Sequence, residues 1–187
     1  MRTIFSGILF VSLLISVFLG PFYIQSAKVN ASSRGDTVQA ASTDWWPMFH
    51  HDPSHTGAST SRGPTTNNTL WTFTTGDVVL SSPAVVDGFV YVGSHDGKVY
   101  CLRAATGALV WSYKTDAGWL VRSSPAIVDG SVYVGGAHSH GGKVYCLNAA
   151  TGALIWCHQF PGVYSGVYSS PAVVDGLVYV GSGDSNI

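Results

Sequence analysis

Hydrophobic and polar positions divide the chain into three stretches. From Ile4 to Leu19 apolar residues run almost unbroken, interrupted only by Ser and Gly. From Ser32 to Asp44 the chain is polar and without period. Beyond Trp45 short runs alternate instead, as in Phe89–Gly93, where Val90 and Val92 flank Tyr91. Period-two alternation predicts half-buried β-strands, and no 3.6-residue stripe is visible. The first stretch, with Arg2 ahead of it and Val29-Asn30-Ala31 after it, has the layout of an export signal. Its length also approaches a membrane span. Residues 1–31 therefore read as a signal peptide or N-terminal anchor, 32–44 as a linker, and 45–187 as the folded domain. Arg34-Gly35-Asp36 in the linker reads as chance. Asn30-Ala31-Ser32 and Asn67-Asn68-Thr69 are glycosylation sequons.

Self-comparison organises the domain. Ser81–Gly93 matches Ser123–Gly135 at 11 of 13 positions and Ser169–Gly181 at 12. Gly97–Trp111 matches Gly142–Trp156 at 13 of 15. Each unit resolves into four strands, placed in the first copy at Pro83–Val86, Phe89–Gly93, Lys98–Leu102 and Leu109–Tyr113. Asp-Gly joins the first two, the preferred type I′ hairpin turn, and Ala104-Ala105-Thr106-Gly107 joins the last two. Four-stranded antiparallel units at this period predict an all-β propeller. Leu70–Thr74 aligns through Trp71 with the fourth strands and predicts a lone outer strand. The third copy stops at Ile187, where its third strand would begin. The expectation is two full blades and half of a third, the N-terminal part of a longer propeller; the alternative is several chains closing one ring.

Cys101–Trp111 resembles the tryptophan-docking repeat of PQQ-type β-propellers, Ala-x-Asp-x-x-Thr-Gly-x-x-x-Trp, and Cys146–Trp156 is a second copy. Cys101 and Cys146 replace the first Ala. Arg103 and Asn148 replace the Asp, and only the Asn keeps a turn-capping group. The resemblance implies that Trp111, Trp156 and Trp71 pack between blades. It likewise implies that Thr106-Gly107 and Thr151-Gly152 shape the hairpins. Asp44–Gly57 is similar to the entry segment of exported members, which lies against the propeller. Some members are quinoprotein dehydrogenases carrying PQQ and calcium. Others resemble the outer-membrane assembly propeller, which binds partner proteins without a cofactor.

Composition narrows this choice. Charged residues are 10% of the chain and the net charge is −1, so there is no basic field for nucleic acid or acidic lipid. All ten acidic residues are Asp. Quinoprotein sites of the resembled family use a Glu and a vicinal disulfide, and the chain has neither Glu nor a Cys-Cys pair. No catalytic residue and no cofactor is assigned; the alternative, a fragment of a PQQ-dependent dehydrogenase, places its site in other blades. His50, His51 and His55 cluster with Asp52, but without Cys support lead-in packing is preferred over metal binding. Cys101 and Cys146 sit on neighbouring blades, too far apart to bridge. Pairing of Cys157 with Cys146 would need an unusual register.

The repeats differ mainly in the loops of one rim. The loop between the second and third strands lengthens at Gly136–Gly141, and the inter-blade loops Lys114–Arg122 and Gln159–Tyr168 diverge. Trp119, His138, His140, Phe160, Tyr164 and Tyr168 are the candidate binding rim for a protein, peptide or glycan partner. Leu177–Gly181 would be an open edge strand and a route to self-association. The reading is an exported binding or scaffolding module, secreted or at the cell surface, touching membrane only through its N-terminal segment.

Overall fold

The computed structural model describes residues 44–183 except 53, 55, 117–119, 140, 163 and 164. The signal segment and nearly all of the linker lie outside the described residues, as do Trp119, His140, Tyr164 and His55. The first blade is a four-stranded antiparallel sheet in the order β1 (Ala84–Val86), β2 (Phe89–Gly93), β3 (Lys98–Arg103), β4 (Leu109–Lys114). The second blade contains β5 (Leu120–Val121), β6 (Ala126–Val128), β7 (Ser131–His138), β8 (Gly141–Asn148) and β9 (Leu154–Phe160). There β6 and β5 both pair with β7, then β8 and β9 follow. The half blade is β10 (Ala172–Val174) paired with β11 (Leu177–Tyr179). The expected all-β partial propeller is what forms.

Local chemistry explains the repetition. Asp87, Asp129 and Asp175 adopt φ of 50°, 48° and 51°, and the following Gly88, Gly130 and Gly176 adopt 79°, 69° and 74°. Two successive positive φ values are what a type I′ turn demands. The β3–β4 and β8–β9 ladders both shift register at the same place, between Cys101 and Leu102 and between Cys146 and Leu147. Cys101 and Cys146 are buried, and all three cysteines are free thiols.

The Ser-Ser-Pro start of each copy is a joint. The Ser81 hydroxyl donates to the Gly93 carbonyl at 3.0 Å and accepts the Gly93 N–H at 2.9 Å. Ser123 repeats this with Gly135 at 3.2 and 2.6 Å, and Ser169 with Gly181 at 3.1 and 2.6 Å. The second serine works between blades. Ser82 N–H donates to the Ser124 hydroxyl at 2.8 Å, and Ser124 N–H to the Ser170 hydroxyl at 3.0 Å. Inner strands are thereby spaced by hydroxyls rather than by shape alone. Ser123 is 1% exposed, so Ser123→Ala leaves both polar groups of Gly135 buried without their partner. We expect a loss of about 1–3 kcal/mol in urea unfolding, against less for the half-buried Ser169. Equal small losses at both sites would refute this role.

Apolar side chains fill the seams. Tyr91, Cys101, Val99 and Trp111 of the first blade pack on Val132, Val134, Tyr145 and Leu147 of the second. Val144, Phe160, Val167 and Val180 join the second blade to the half blade. The polar keys of the seams differ. Between residues 71–79 and the first blade, Asp96 accepts from Gly76 N–H at 2.8 Å, from Lys98 N–H at 3.0 Å and from the Tyr100 hydroxyl. At the next seam Gly141 stands where Asp96 stood. Asp116 stands where Gly76 stood and pairs with Lys143. The Tyr145 hydroxyl, counterpart of Tyr100, is buried with no hydrogen-bond partner among the described residues.

Three expectations are corrected. Leu70–Thr74 joins no ladder. No third strand of its own blade precedes it among the described residues, so side chains rather than backbone bonds hold it. Gly136–Gly141 is not a longer loop: β7 and β8 simply continue, with His138 opposite Gly141. The extra glycines let the hairpin lengthen beside Ser165–Val167, and β5 pairs with its extension. Phe160, expected among exposed rim aromatics, is 5% exposed. It ends β9 opposite Gly142 and packs with Val144, Val167 and Val180 in the seam to the half blade.

Candidate functional site

Three sets of side chains carry what chemistry the domain has. The first is the tryptophan set. Trp71 Nε1–H donates to the Ala104 carbonyl at 2.8 Å, and Trp111 Nε1–H to the Ala149 carbonyl at 2.9 Å. A Cβ on Gly107 would lie 2.6 Å from the Trp71 ring, and one on Gly152 2.6 Å from the Trp111 ring. These glycines have φ of 70° and 72°, which suits glycine on both counts. Each turn is thus a notch that receives the indole of the preceding segment. Thr106 and Thr151 hydroxyls accept the N–H of Ala108 and Ala153, each at 3.3 Å. Asn148 Oδ1 caps the second turn, accepting from Ala150 N–H, Thr151 N–H and the Thr151 hydroxyl, each at 3.0 Å. Trp156 is 39% exposed, with Tyr133 of its own blade 6.0 Å away between ring centroids.

The second set is the lead-in. Trp46 exchanges two backbone bonds with Val85, at 2.8 and 2.7 Å, and Ile127 N–H donates to the Pro47 carbonyl at 2.8 Å. Met48 is buried among Ala126 and Val173. Three residues of lead-in thus touch the innermost strand of each blade in turn. Behind them His51 sits between two carboxylates: its Nε2 is 2.9 Å from Asp44 and its Nδ1 3.3 Å from Asp52. Ser59 and Thr60 also donate to Asp44, and Thr56 to Asp52. With both ring nitrogens facing carboxylates, His51 has no lone pair to offer a metal. Among the described residues no group of three His, Cys or Asp has metal-holding geometry.

This clasp gives a pH dependence. Hydrogen bonding to Asp44 raises the His51 pKa above its ordinary 6.5. Donors from Thr60, Ser59 and His51 lower Asp44, and the Thr56 hydroxyl brings Asp52 down to about 2. A raised histidine stabilises below its unfolded pKa and loses that as pH rises through the folded value. Lowered carboxylates stabilise above their unfolded 3.8 and lose that as pH falls. The lead-in is therefore expected to be held best between about pH 4 and 6.5. Proteolysis of residues 44–60 should be slowest in that window and accelerate above pH 7. A rate that does not change from pH 5 to 8, or is unaltered by Asp44→Asn, contradicts it.

The third set is the rim. Tyr168 is 49% exposed, and the Arg122 guanidinium lies 5.3 Å from its ring centroid. Arg122 Nε–H donates to His95 Nε2 at 2.9 Å. His138 is half-buried at the end of β7. Of the other expected rim residues, Phe160 is inside the seam, and Trp119, His140 and Tyr164 lie outside the described residues. Sequence reasoning missed Arg122 and His95. It also missed the paired serines, although their identity in all three copies was a signal.

A quinone held by calcium needs ligands that converge, and among the described residues no three His, Cys or Asp come together. Asp96 is filled by three donors and Asp116 by Lys143. Asp44 and Asp52 are held in the clasp. Asp77 accepts its neighbour's Val78 N–H at 2.7 Å, and Asp87, Asp129 and Asp175 stand exposed at three separate hairpin turns. The residues present do not fit such a cofactor.

The BamB structure from Moraxella catarrhalis is 26% identical with a TM-score of 0.53, covering 62% of this chain and 34% of that one. Quinohemoprotein alcohol dehydrogenase from Comamonas testosteroni is 24% identical with a TM-score of 0.53, covering 65% of this chain and 28% of that one. At that identity the second likeness speaks to fold alone. The chain spans about a third of the length of these relatives. No curated protein matches it. A family model described as outer membrane protein assembly factor BamB matches residues 60–139 and 121–187. With repeats, turn chemistry and family model in agreement over more than half its length, the chain belongs to the PQQ-like β-propeller repeat family.

Proposed function

We propose that this chain is an exported binding or scaffolding module that holds a protein partner against the rim carrying Arg122 and Tyr168. The observation that carries the reading is the contrast between two surfaces of one rigid scaffold. Turns and seams are committed to packing, whereas Arg122, His95 and Tyr168 come from three consecutive repeats and meet on one exposed face. Fixed scaffold with variable rim is how repeat folds present binding residues. The likeness to an outer-membrane assembly factor supports a scaffolding role. The N-terminal apolar segment supports placement outside the cytoplasm.

The test is site-specific photo-crosslinking of the full chain in its host. A crosslinker at Tyr168 is expected to give a protein adduct that one at Leu109, on the perimeter, does not. Adducts at Leu109 alone would overturn the reading. So would uptake of PQQ with calcium by the full protein, which would favour a dehydrogenase.

A further inference from the structure

We propose that Arg122, braced by His95 and Tyr168, is a carboxylate-recognising position, and that it takes an acidic peptide segment of the partner. This deepens the rim-binding reading and rests on it. Arg122 and Tyr168 each stand immediately before a Ser-Ser-Pro joint, and Leu80 holds that position in the first copy. The joint fixes the backbone while this neighbour changes from apolar to cationic to aromatic. Ser123 and Ser169 tie their strands to Gly135 and Gly181, so both side chains project from positions next to a hydrogen-bonded joint.

The bracing leaves one edge of the guanidinium for a ligand. Its Nε–H is spent on His95 and one face lies on Tyr168. The Nη groups have no protein partner among the described residues. An arginine held by two contacts loses less rotamer freedom on binding than a free one. Two parallel N–H donors match the two oxygens of a carboxylate. Nearby charge decides which anion fits. Lys143 is already paired with Asp116. Asp77, which acts electrostatically on His95, is turned back to Val78 N–H. A single available guanidinium suits a singly charged planar carboxylate, whereas a phosphate dianion calls for several donors or cations. The exposed Tyr168 ring adds contact area for a peptide side chain.

The test is fluorescence anisotropy of a labelled oligo-aspartate peptide with the full chain, against an oligo-asparagine peptide and inorganic phosphate as competitor. The aspartate peptide is expected to bind at least about tenfold more tightly than the asparagine peptide. Arg122→Gln should cost about tenfold, and Arg122→Lys about threefold, because Lys keeps charge but not the fork. Arg103→Gln, on the opposite rim, should leave binding unchanged. Should Arg122→Gln fail to fold, Tyr168→Leu removes the brace and is expected to weaken binding severalfold. Equal affinity for both peptides, an unchanged Arg122→Gln variant, or displacement by equimolar phosphate would overturn the proposal. Tyr168 adducts in the host without aspartate affinity would sink this inference and leave the binding reading standing.

Discussion

Trp111→Ala is expected to destabilise the chain by about 3–5 kcal/mol, the range for removing a large buried aromatic. Trp111 is 9% exposed and fills the notch over Gly152 between the two complete blades. The Ala149 carbonyl it serves also receives the Tyr91 hydroxyl at 3.3 Å, so the loss comes mainly from the cavity. Two comparisons make the expectation specific. Trp156→Ala, at 39% exposure, should cost about 1 kcal/mol or less because most of its transfer term is absent. Gly152→Ala should be severe in the native chain. On the Trp111→Ala background it should cost only the left-handed strain of about 1–2 kcal/mol. Urea unfolding followed by far-ultraviolet circular dichroism reads all four variants. Equal costs for Trp111→Ala and Trp156→Ala would remove the indole from its place in blade cohesion.

Gly142→Ala should be comparably damaging for a different reason. A Cβ there would lie 2.0 Å from the Ser165 carbonyl oxygen and 2.7 Å from Val167 N. Both are backbone atoms, so no rotamer change relieves the overlap, and we expect about 3 kcal/mol or more. The alternative response is that Ser165–Val167 lifts off the β7–β8 hairpin. Amide exchange at Val167, whose N–H reaches the Gly136 carbonyl at 3.4 Å, would then accelerate with little change in overall stability. Gly130→Ala is the control: nothing crowds its Cβ, and only its φ of 69° opposes the change. A Gly142→Ala variant no worse than this control would show that the close approach is not obligatory.

Strands and turns were legible because their causes are local. Alternation set the faces, and Asp-Gly could sit only where two positive φ values were needed. Register and blade order followed from the repeats. Leu70–Thr74 was misread because a strand is a property of a pair: the residues have strand character, but no partner lies beside them. Phe160 lies in a stretch that diverges between the repeats, and its burial comes from Val167 and Val180 of the following segment, which its own strand does not reveal. Arg122 escaped notice because its two braces, His95 and Tyr168, are 27 residues before it and 46 after it. The His51 clasp was half visible; the histidines and Asp52 are adjacent in sequence, but Asp44 was assigned to the linker's end.

Repeats this similar carry a hazard during folding, since each hairpin is a plausible substitute for its neighbour. The seam chemistry opposes the exchange. Were the first blade's third strand to dock after Trp111 instead of after Trp71, the Asp96 carboxylate would meet Asp116, two like charges with one lysine too few. Were the second blade's strand to dock after Trp71, Gly76 N–H would face Gly141 and find no acceptor. Either swap keeps the apolar contacts and loses the polar ones, so the correct order is separated from its shuffled forms by groups that add little to the correct form itself. Copying a blade is then safe for the chain only once a carboxylate has changed sides.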